Sequence, residues 1–349
     1  LVHDGARQVF IHMEPFAAPG ADPQETSGRW RHLIGLDART GELLWRSADA
    51  LTQYNAPTLV QTADGLCALH ARGGPHEVPE RPVGVSLTRL TGSNAGQSVW
   101  RYEDPRGNHE AALQTMAHDA RYAYWLLKEP RNALVVLDLK TGRELREISL
   151  TRNVVRTQFD AQPGAWDTSD GVDLERGVFP GRYSMIAAGG RVFFQCYATA
   201  WGEASIGPPY SFARVDPESG HVEYLEVPTD VVREAGAPDR WLWRTPRAAR
   251  ALNSRGEEVT GDERSRWDGW DWVFNGSPTR VNERLYFTLA SGVVYVLDAS
   301  TPRFDRRAFL ALNDLGPAGA VWTANSVSYA AGRLYHRTAA ELICVGVAR

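Results

Sequence analysis

Short apolar runs alternate with turn-forming residues along the whole chain, and no long helical period interrupts them. The stretches LIGLDARTGELLWRS (33–47) and LVVLDLKTGRELREI (134–148) show the pattern best. Each has an apolar run that ends in Asp, a turn closed by Gly, and a second run. Because Asp accepts backbone N–H bonds across a turn and Gly supplies a positive φ, each stretch predicts a β-hairpin.

The hairpin pattern recurs, which indicates an internal repeat. It returns in FARVDPESGHVEYLE (212–226) and VYVLDASTPRFDRRA (294–308), and in a weaker copy at 85–103. Pro302 stands near the glycine position of the 294–308 copy, so we expect a different turn there. A second pattern, a short strand followed by an aromatic-rich strand, precedes each hairpin, as in SPTRVNERLYFTLA (277–290).

Together the two patterns give four antiparallel strands, A to D, about every 40 to 50 residues, which is the signature of a β-propeller. We therefore predict an all-β protein, a single β-propeller domain over 1–349 with at least six four-stranded blades. A seventh or eighth blade and a truncated N-terminus are left open. Complete blades are expected near 53–103, 109–150, 181–228 and 275–312, and incomplete ones at 1–47 and 323–349. Two long loop insertions, 151–180 and 229–274, are expected over one face.

The repeat in LDARTGELLW and VVLDLKTGRELRE resembles that of the PQQ-like (quinoprotein alcohol dehydrogenase-like) propeller family. The second half of the chain resembles uncharacterised secreted bacterial members. The resemblance implies a propeller in a periplasmic or secreted protein. Dehydrogenases of that family use two adjacent cysteines over the quinone, whereas Cys67, Cys196 and Cys344 are far apart. We therefore expect no PQQ and no other cofactor, apart from the calcium ion considered below.

Charge and hydropathy exclude two classes of partner. The 38 basic and 42 acidic residues are interleaved, so the basic patch of a nucleic-acid-binding protein is not expected. No apolar run approaches the roughly 20 residues of a membrane-spanning helix, so no membrane-spanning segment is predicted. The three cysteines have no metal-ligand spacing.

The candidate site is the ring where the A strands begin, because propeller symmetry brings these distant positions to one central funnel. Ordinary turn and rim roles are the alternative for all of them. Four residues supply a base, an acid and an anion clamp: Tyr54, His109, Arg182 and Tyr183. The other residues that precede the A strands are Asn55, Glu110, Asn275, Ser277, Trp322, Asn325 and Ser326.

Both insertions carry candidate ligand-binding residues. Trp270 and Trp272, interleaved with aspartates, suit the stacking of sugar rings, or they form a small core that anchors the insertion. Asp167, Asp170 and Asp173 offer oxygen ligands for a calcium ion, or they belong to a solvated acidic loop.

These residues favour a ligand-binding propeller whose funnel holds a carbohydrate or another small polar or anionic ligand. One alternative is a polysaccharide lyase acting by β-elimination, with Arg182 neutralising the uronate carboxylate. In that case His109 and Tyr183, or Tyr54, act as base and acid. The other alternative is a non-enzymatic scaffold that binds a protein partner or further domains of a longer chain. The sequence alone does not decide whether the protein is an enzyme.

Overall fold

In the computed structural model the chain forms two compact units, Leu1–Ile148 and Ser149–Arg349. Apart from a 3-10 turn at Arg306–Ala308, the regular structure of the described residues is all β. The structure describes residues 1–14, 31–51, 55–63, 65–72, 83–106, 115–127, 131–160, 165–174, 179–180, 185–197, 211–227, 230–232, 240–242, 253–257, 276–289, 292–316, 321 and 323–346.

The first unit contains three blades of four antiparallel strands each. A single residue pair, Leu51 with Arg72, joins the sheets of blades 1 and 2. Blade 1 has strands β1 (Val2–Asp4), β2 (Arg7–Met13), β3 (Arg31–Asp37) and β4 (Leu43–Leu51). Blade 2 has β5 (Thr58–Thr62), β6 (Gly65–Arg72), β7 (Gly84–Arg89) and β8 (Ser98–Glu103). Blade 3 has β9 (Ala117–His118), β10 (Tyr122–Leu127), β11 (Ala133–Asp138) and β12 (Glu144–Ser149).

The second unit contains three further blades, the last of which has three strands among the described residues. It begins with the extra strands β13 (Val154–Asp160), β14 (Ala165–Val172) and β15 (Phe179–Pro180). Blade 4 has β16 (Ile186–Ala188), β17 (Arg191–Tyr197), β18 (Ser211–Val215) and β19 (Val222–Glu226). After the hairpin of β20 (Asp230–Val232) and β21 (Arg240–Leu242), blade 5 has β22 (Thr279–Val281), β23 (Arg284–Thr288), β24 (Val293–Asp298) and β25 (Phe309–Asp314). Blade 6 has β26 (Ser328–Ala330), β27 (Arg333–Arg337) and β28 (Leu342–Val345).

The predicted C–D turns are confirmed. In blade 1 the Asp37 Oδ1 atom accepts hydrogen bonds from the backbone N–H groups of Arg39 and Thr40, at 2.9 and 3.0 Å. Gly41 then closes the turn with φ 75°. The copy that carries Pro302 differs as expected, because after Asp298 its chain runs through the 3-10 turn before β25 begins.

The first insertion departs from its predicted loop character, because it adds strands to a blade. Strands β13 and β14 form an antiparallel hairpin, and β13 pairs in parallel with β19, the D strand of blade 4. The ring of Trp166 lies 5.8 Å from that of Phe309, and Arg303 pairs with Asp170 at 2.9 Å. The acidic stretch is therefore a strand held against blade 5. In the second insertion only 230–232, 240–242 and 253–257 are described.

Alternating strand-B residues build the seams between neighbouring blades. Position 1 of strand B is the residue that closes the A–B turn: Arg7, Gly65, Tyr122, Arg191, Arg284 and Arg333 in blades 1 to 6. In blade 2 the residues at positions 3 and 5, Cys67 and Leu69, share a core with those at positions 4 and 6 of blade 3, Trp125 and Leu127. Odd positions thus face the following blade and even positions face the preceding one.

Candidate functional site

The starts of the A strands of blades 5 and 6 meet in the second unit. The backbone N–H of Ser277 donates to Ser326 Oγ at 2.7 Å, and the Thr279 hydroxyl donates to the Val327 carbonyl. The first unit has the same contact between blades 2 and 3, where Thr58 Oγ1 donates to the Met116 carbonyl at 2.5 Å. In these two pairs of neighbouring blades the A-strand starts therefore lie side by side.

Three side chains extend this group of polar residues in blade 6. Thr323 Oγ1 lies 2.9 Å from His336 Nε2, donates to the Arg337 carbonyl at 2.8 Å and accepts from the backbone N–H of Asn325. Because the Thr323 proton goes to a carbonyl, His336 Nε2 must carry the proton that joins it to Thr323. The His336 Nδ1 atom is then a hydrogen-bond acceptor.

Two buried polar atoms of this seam have no hydrogen-bond partner in the part of the chain that the structure describes. They are His336 Nδ1 and Thr288 Oγ1, in side chains that are 4% and 1% exposed. Thr288 is at position 5 of strand B in blade 5 and His336 at position 4 in blade 6, the positions that Leu69 and Trp125 occupy in blades 2 and 3. Gly276 lies close to both Thr288 in blade 5 and Asn325 at the start of blade 6. A Cβ atom at this position would lie 3.6 Å from Thr288 Cβ and 2.8 Å from the Asn325 carbonyl oxygen.

The other described seams are less polar at the same positions. Blades 1 and 2 oppose Ile11 to Ala68, and blades 2 and 3 oppose Leu69 to Trp125. In the seam of blades 4 and 5, position 5 is Gln195, which is buried and whose Nε2 atom has no hydrogen-bond partner among the described residues. Position 5 is therefore apolar in the two seams of the first unit and polar in the two seams of the second.

The seam between blades 5 and 6 is an uncharged hydrogen-bonding site. Burial lowers the pKa of His336, so the imidazole is neutral near pH 7. Hydroxyl and amide groups supply the remaining polarity. We call this group of six residues the 5–6 seam site: Ser277, Thr288, Thr323, Asn325, Ser326 and His336.

Four of the predicted funnel residues can be placed, and two of them, Ser277 and Ser326, bond to each other at the 5–6 seam site. Asn325 is exposed at the 5–6 seam site, where its Nδ2 donates to the Arg337 carbonyl at 3.0 Å. Asn55 is buried in the first unit, where its Oδ1 accepts from the backbone N–H of Ala71 at 3.2 Å. The other predicted residues lie outside the described part of the chain: Tyr54, His109, Glu110, Arg182, Tyr183, Trp270, Trp272, Asn275 and Trp322.

The aspartates suggested for calcium do not come together. Asp170 pairs with Arg303, Asp173 pairs with Arg152 at 3.1 Å, and Asp167 accepts from the Ser169 hydroxyl at 3.3 Å. Among the described residues no group of three or more His, Cys, Asp or Glu side chains is arranged to hold a metal ion.

The cysteines do not form the adjacent pair of the quinone-dependent dehydrogenases. Cys67 and Cys196 are buried in different units and Cys344 is exposed, all as free thiols. Burial raises the pKa of the Cys196 thiol well above its usual value, which makes this cysteine unreactive.

Two open clefts lie away from the A-strand starts, beside C–D turns. One, of about 740 Å³, is in the first unit beside Arg7 and Asp37, and the other, of about 530 Å³, is in the second unit. In the second cleft Arg214 pairs with Glu223 at 2.5 Å, and Arg303 pairs with Asp170. Because these charges pair with one another and fix the turns, the clefts are weaker candidates than the 5–6 seam site.

Thr288, Thr323 and His336 were not among the predicted site residues. The signal in the sequence was a polar residue inside an aromatic strand, in RLYFT and RLYHR. It could be recognised only by aligning all the B strands on their A–B turns.

No protein-family model matches the chain, and no curated protein matches it. Among solved structures, BamB from Moraxella catarrhalis aligns with a TM-score of 0.38 and 15% identity over 90% of this chain and 75% of that one. The computationally designed Ika8 protein aligns with a TM-score of 0.35 and 11% identity, over 90% of both chains. At these scores the fold assignment rests on the chain's own strand pairing, and the PQQ-like resemblance stays a prediction.

The repeated four-stranded antiparallel blades define the class of protein, a β-propeller. A propeller of this kind suits a binding or scaffold role, although the fold itself does not select a ligand. In the part of the chain that the structure describes, no helix has the length and hydropathy needed to span a membrane.

Proposed function

We propose that this chain is a ligand-binding β-propeller of the PQQ-like repeat type, secreted or periplasmic, that holds a carbohydrate at the 5–6 seam site. One observation supports the proposal most directly. Blades 2 and 3 pack Leu69 with Trp125, whose indole Nε1 lacks a partner, whereas blades 5 and 6 place two polar side chains, Thr288 and His336, each with an unpartnered buried atom among the described residues.

Burial without a partner makes these atoms costly to the folded chain. A buried polar group that loses its hydrogen bond destabilises a protein by about 1–3 kcal/mol. A ligand that supplies the missing bonds converts this cost into binding free energy. The described residues hold seven such atoms, and Thr288 Oγ1 and His336 Nδ1 are the two at the 5–6 seam site.

The chemistry of the 5–6 seam site suits a sugar. Its described side chains are hydroxyl, amide and neutral imidazole groups, which exchange hydrogen bonds with hydroxyls without a net charge. In the sequence Trp322 directly precedes Thr323, and tryptophan is the residue type on which sugar C–H faces stack best.

Glycan binding to the purified chain tests the proposal. A panel of neutral and uronate-containing oligosaccharides would be titrated while tryptophan fluorescence and heat are recorded. We expect at least one glycan to bind the wild type, and Asn325→Ala, at the exposed rim, to weaken binding about tenfold. Gln61→Ala, an exposed substitution on β5 in the first unit, serves as the matched control and should leave binding unchanged.

Two results would overturn the proposal. Binding of no glycan would favour a protein partner and a scaffold role instead. Release of an unsaturated uronate product, seen by ultraviolet absorbance and lost in His109→Ala and Arg182→Ala, would show a lyase with its site elsewhere in the funnel.

A further inference from the structure

We propose that one face of blade 1 is an interaction surface on which a second copy of this chain docks, sheet face against sheet face. The surface centres on three apolar side chains, Phe10 on β2, Leu36 on β3 and Leu43 on β4, which we call the blade 1 row. This inference goes beyond the proposed function, because it concerns the first unit and not the 5–6 seam site.

The strand register of blade 1 places the three residues side by side. Phe10 is opposite Leu36 between β2 and β3, and Leu36 is opposite Leu43 between β3 and β4. The other face of the same sheet is covered by blade 2, since Ile11, next to Phe10, packs against the core that includes Ala68. Because side chains alternate between the two faces of a sheet, the blade 1 row lies on the face away from blade 2.

The exposure of Phe10 distinguishes blade 1 from the other blades. Phe10 is at position 4 of strand B and is 43% exposed, and Leu43, at the end of the row, is 57% exposed. The residues at position 4 of blades 2 to 6 are at most 4% exposed: Ala68, Trp125, Phe194, Phe287 and His336. An exposed apolar row where the repeat otherwise buries its side chains indicates a contact surface.

The described seams show what kind of surface covers position 4. Trp125 shares a core with Leu69 of blade 2, and the ring of Phe287 lies 4.6 Å from that of Phe212 in blade 4. In both seams the covering element is the apolar face of another β-sheet. The partner that fits the blade 1 row is therefore a sheet face, packed about 10 Å away as in a β-sandwich.

Charge favours a second copy of the same chain as that partner. The blade 1 row has no charged side chain, so two copies related by a two-fold axis bring no like charges together in it. Arg46, which lies opposite Ile34 beside the row, is already paired with Glu14 at 3.0 Å. The ring of His12 stacks on that of Phe10, with 5.7 Å between their centroids. The surface is thus self-complementary, as an interface between identical faces requires.

The area of the surface sets the strength of the dimer. Strands β2 and β3 are each seven residues long. At about 3.3 Å per residue and about 4.8 Å between strands, the four-stranded face covers at most roughly 400 Å². A standard interface takes about 800 Å² from each partner, so we expect a weak, reversible dimer with a Kd of about 10–100 μM.

Sedimentation equilibrium of the purified chain, at concentrations below and above that range, tests the inference. Phe10→Glu and Leu43→Glu each place a carboxylate in the row, and each should weaken the dimer at least about tenfold. Leu59→Glu is the matched control, since Leu59 is 55% exposed on β5 of the same unit and lies outside the row. It should leave the Kd within about threefold of the wild type. Circular dichroism and unfolding midpoints show whether each variant is folded.

Two results would overturn the inference. A wild-type chain that stays monomeric at all these concentrations would leave the blade 1 row to a different protein. A dimer that the three variants weaken equally, or that none of them weakens, would form through another surface. Neither result bears on glycan binding at the 5–6 seam site, which is measured separately.

Discussion

The seam of blades 2 and 3 and the seam of blades 5 and 6 have the same backbone frame and opposite chemistry. Both are flanked by a threonine hydroxyl that donates to the next blade, from Thr58 in one and Thr279 in the other. The first seam buries Leu69 against an apolar layer that includes Trp125, and the second buries Thr288 and His336. The repeat thus fixes how blades meet, and positions 4 and 5 set how many unpartnered polar atoms a seam buries among the described residues: Trp125 Nε1 in the first seam, and Thr288 Oγ1 and His336 Nδ1 in the second.

Two buried histidines extend this contrast. In the first unit both ring nitrogens of His70 are bonded, Nδ1 to the Ala71 carbonyl at 3.1 Å and Nε2 to Thr88 Oγ1 at 3.0 Å. In the second unit His336 has only its Nε2 bond. A fully bonded histidine is part of the folded core, whereas a half-bonded one has capacity left for a ligand.

The largest effect is expected from truncating the apolar seam. Trp125→Ala should lower the free energy of unfolding by about 3–5 kcal/mol, because the fully buried ring leaves a cavity between blades 2 and 3. Denaturant unfolding followed by circular dichroism measures the change. A loss below about 1 kcal/mol would show that this seam is not the stabilising one.

The second-largest effect is expected at low pH, where protonation of His70 should destabilise the first unit. Burial, the largest cause, lowers its pKa to about 4, so the folded chain keeps this histidine neutral where the unfolded chain protonates it. The stability is therefore present above pH 6.5 and is lost as the pH falls toward 4, by about 3 kcal/mol in total. Unfolding free energies measured between pH 7 and pH 4 give the slope.

The His70→Gln variant isolates this contribution. The pKa values of half-buried His32 and of His336 are also lowered, chiefly by burial, so the wild-type slope contains all three histidines. The pKa of Asp49 is lowered as well, since hydrogen bonds from Ser98 and Ser86 outweigh its desolvation, and it acts below pH 4. An unchanged slope in His70→Gln would contradict the assignment to His70.

The blade repeat was predictable from the sequence because its signals are local. Asp37 and Gly41 make their turn within five residues, and the apolar alternation on either side is complete in the same stretch. The seam chemistry was not predictable in this way. Thr288 and His336 lie 48 positions apart, and only the register of two blades shows that they share a seam.

The strand character of the first insertion was missed for a related reason. Its acidic stretch has the composition of a solvated loop, yet Asp170 is held by Arg303, more than 130 positions away in blade 5. Parallel pairing of β13 with β19 also joins strands that are distant along the chain. A short stretch of sequence cannot predict pairings between residues or strands that lie this far apart along the chain.

Two turn glycines, one in each unit, test whether equivalent C–D turns respond alike to substitution. The seams, by contrast, differ in chemistry between the units. Gly142 and Gly220 close equivalent turns with φ 72° and 77°. At Gly220 a Cβ atom meets nothing within 4 Å, so Gly220→Ala should cost about 1–2 kcal/mol from its φ alone.

At Gly142 a Cβ atom would lie 2.4 Å from the Trp100 ring, so Gly142→Ala should cost about 1–3 kcal/mol more. Equal losses for the two variants, measured by denaturant unfolding, would mean that the Trp100 ring moves aside freely.

The smallest effect separates a bonded threonine from an unbonded one, because one substitution is made at two buried threonines. Thr88→Val removes the partner of His70 Nε2 and leaves that nitrogen buried and unpaired, so it should cost about 1–3 kcal/mol. Thr288→Val removes a hydroxyl that already lacks a partner, so the free energy of unfolding should change by less than about 1 kcal/mol, or rise. Denaturant unfolding without ligand measures both variants. A large loss in Thr288→Val would mean that its hydroxyl is bonded in the folded chain, which would remove the main support for a ligand between blades 5 and 6.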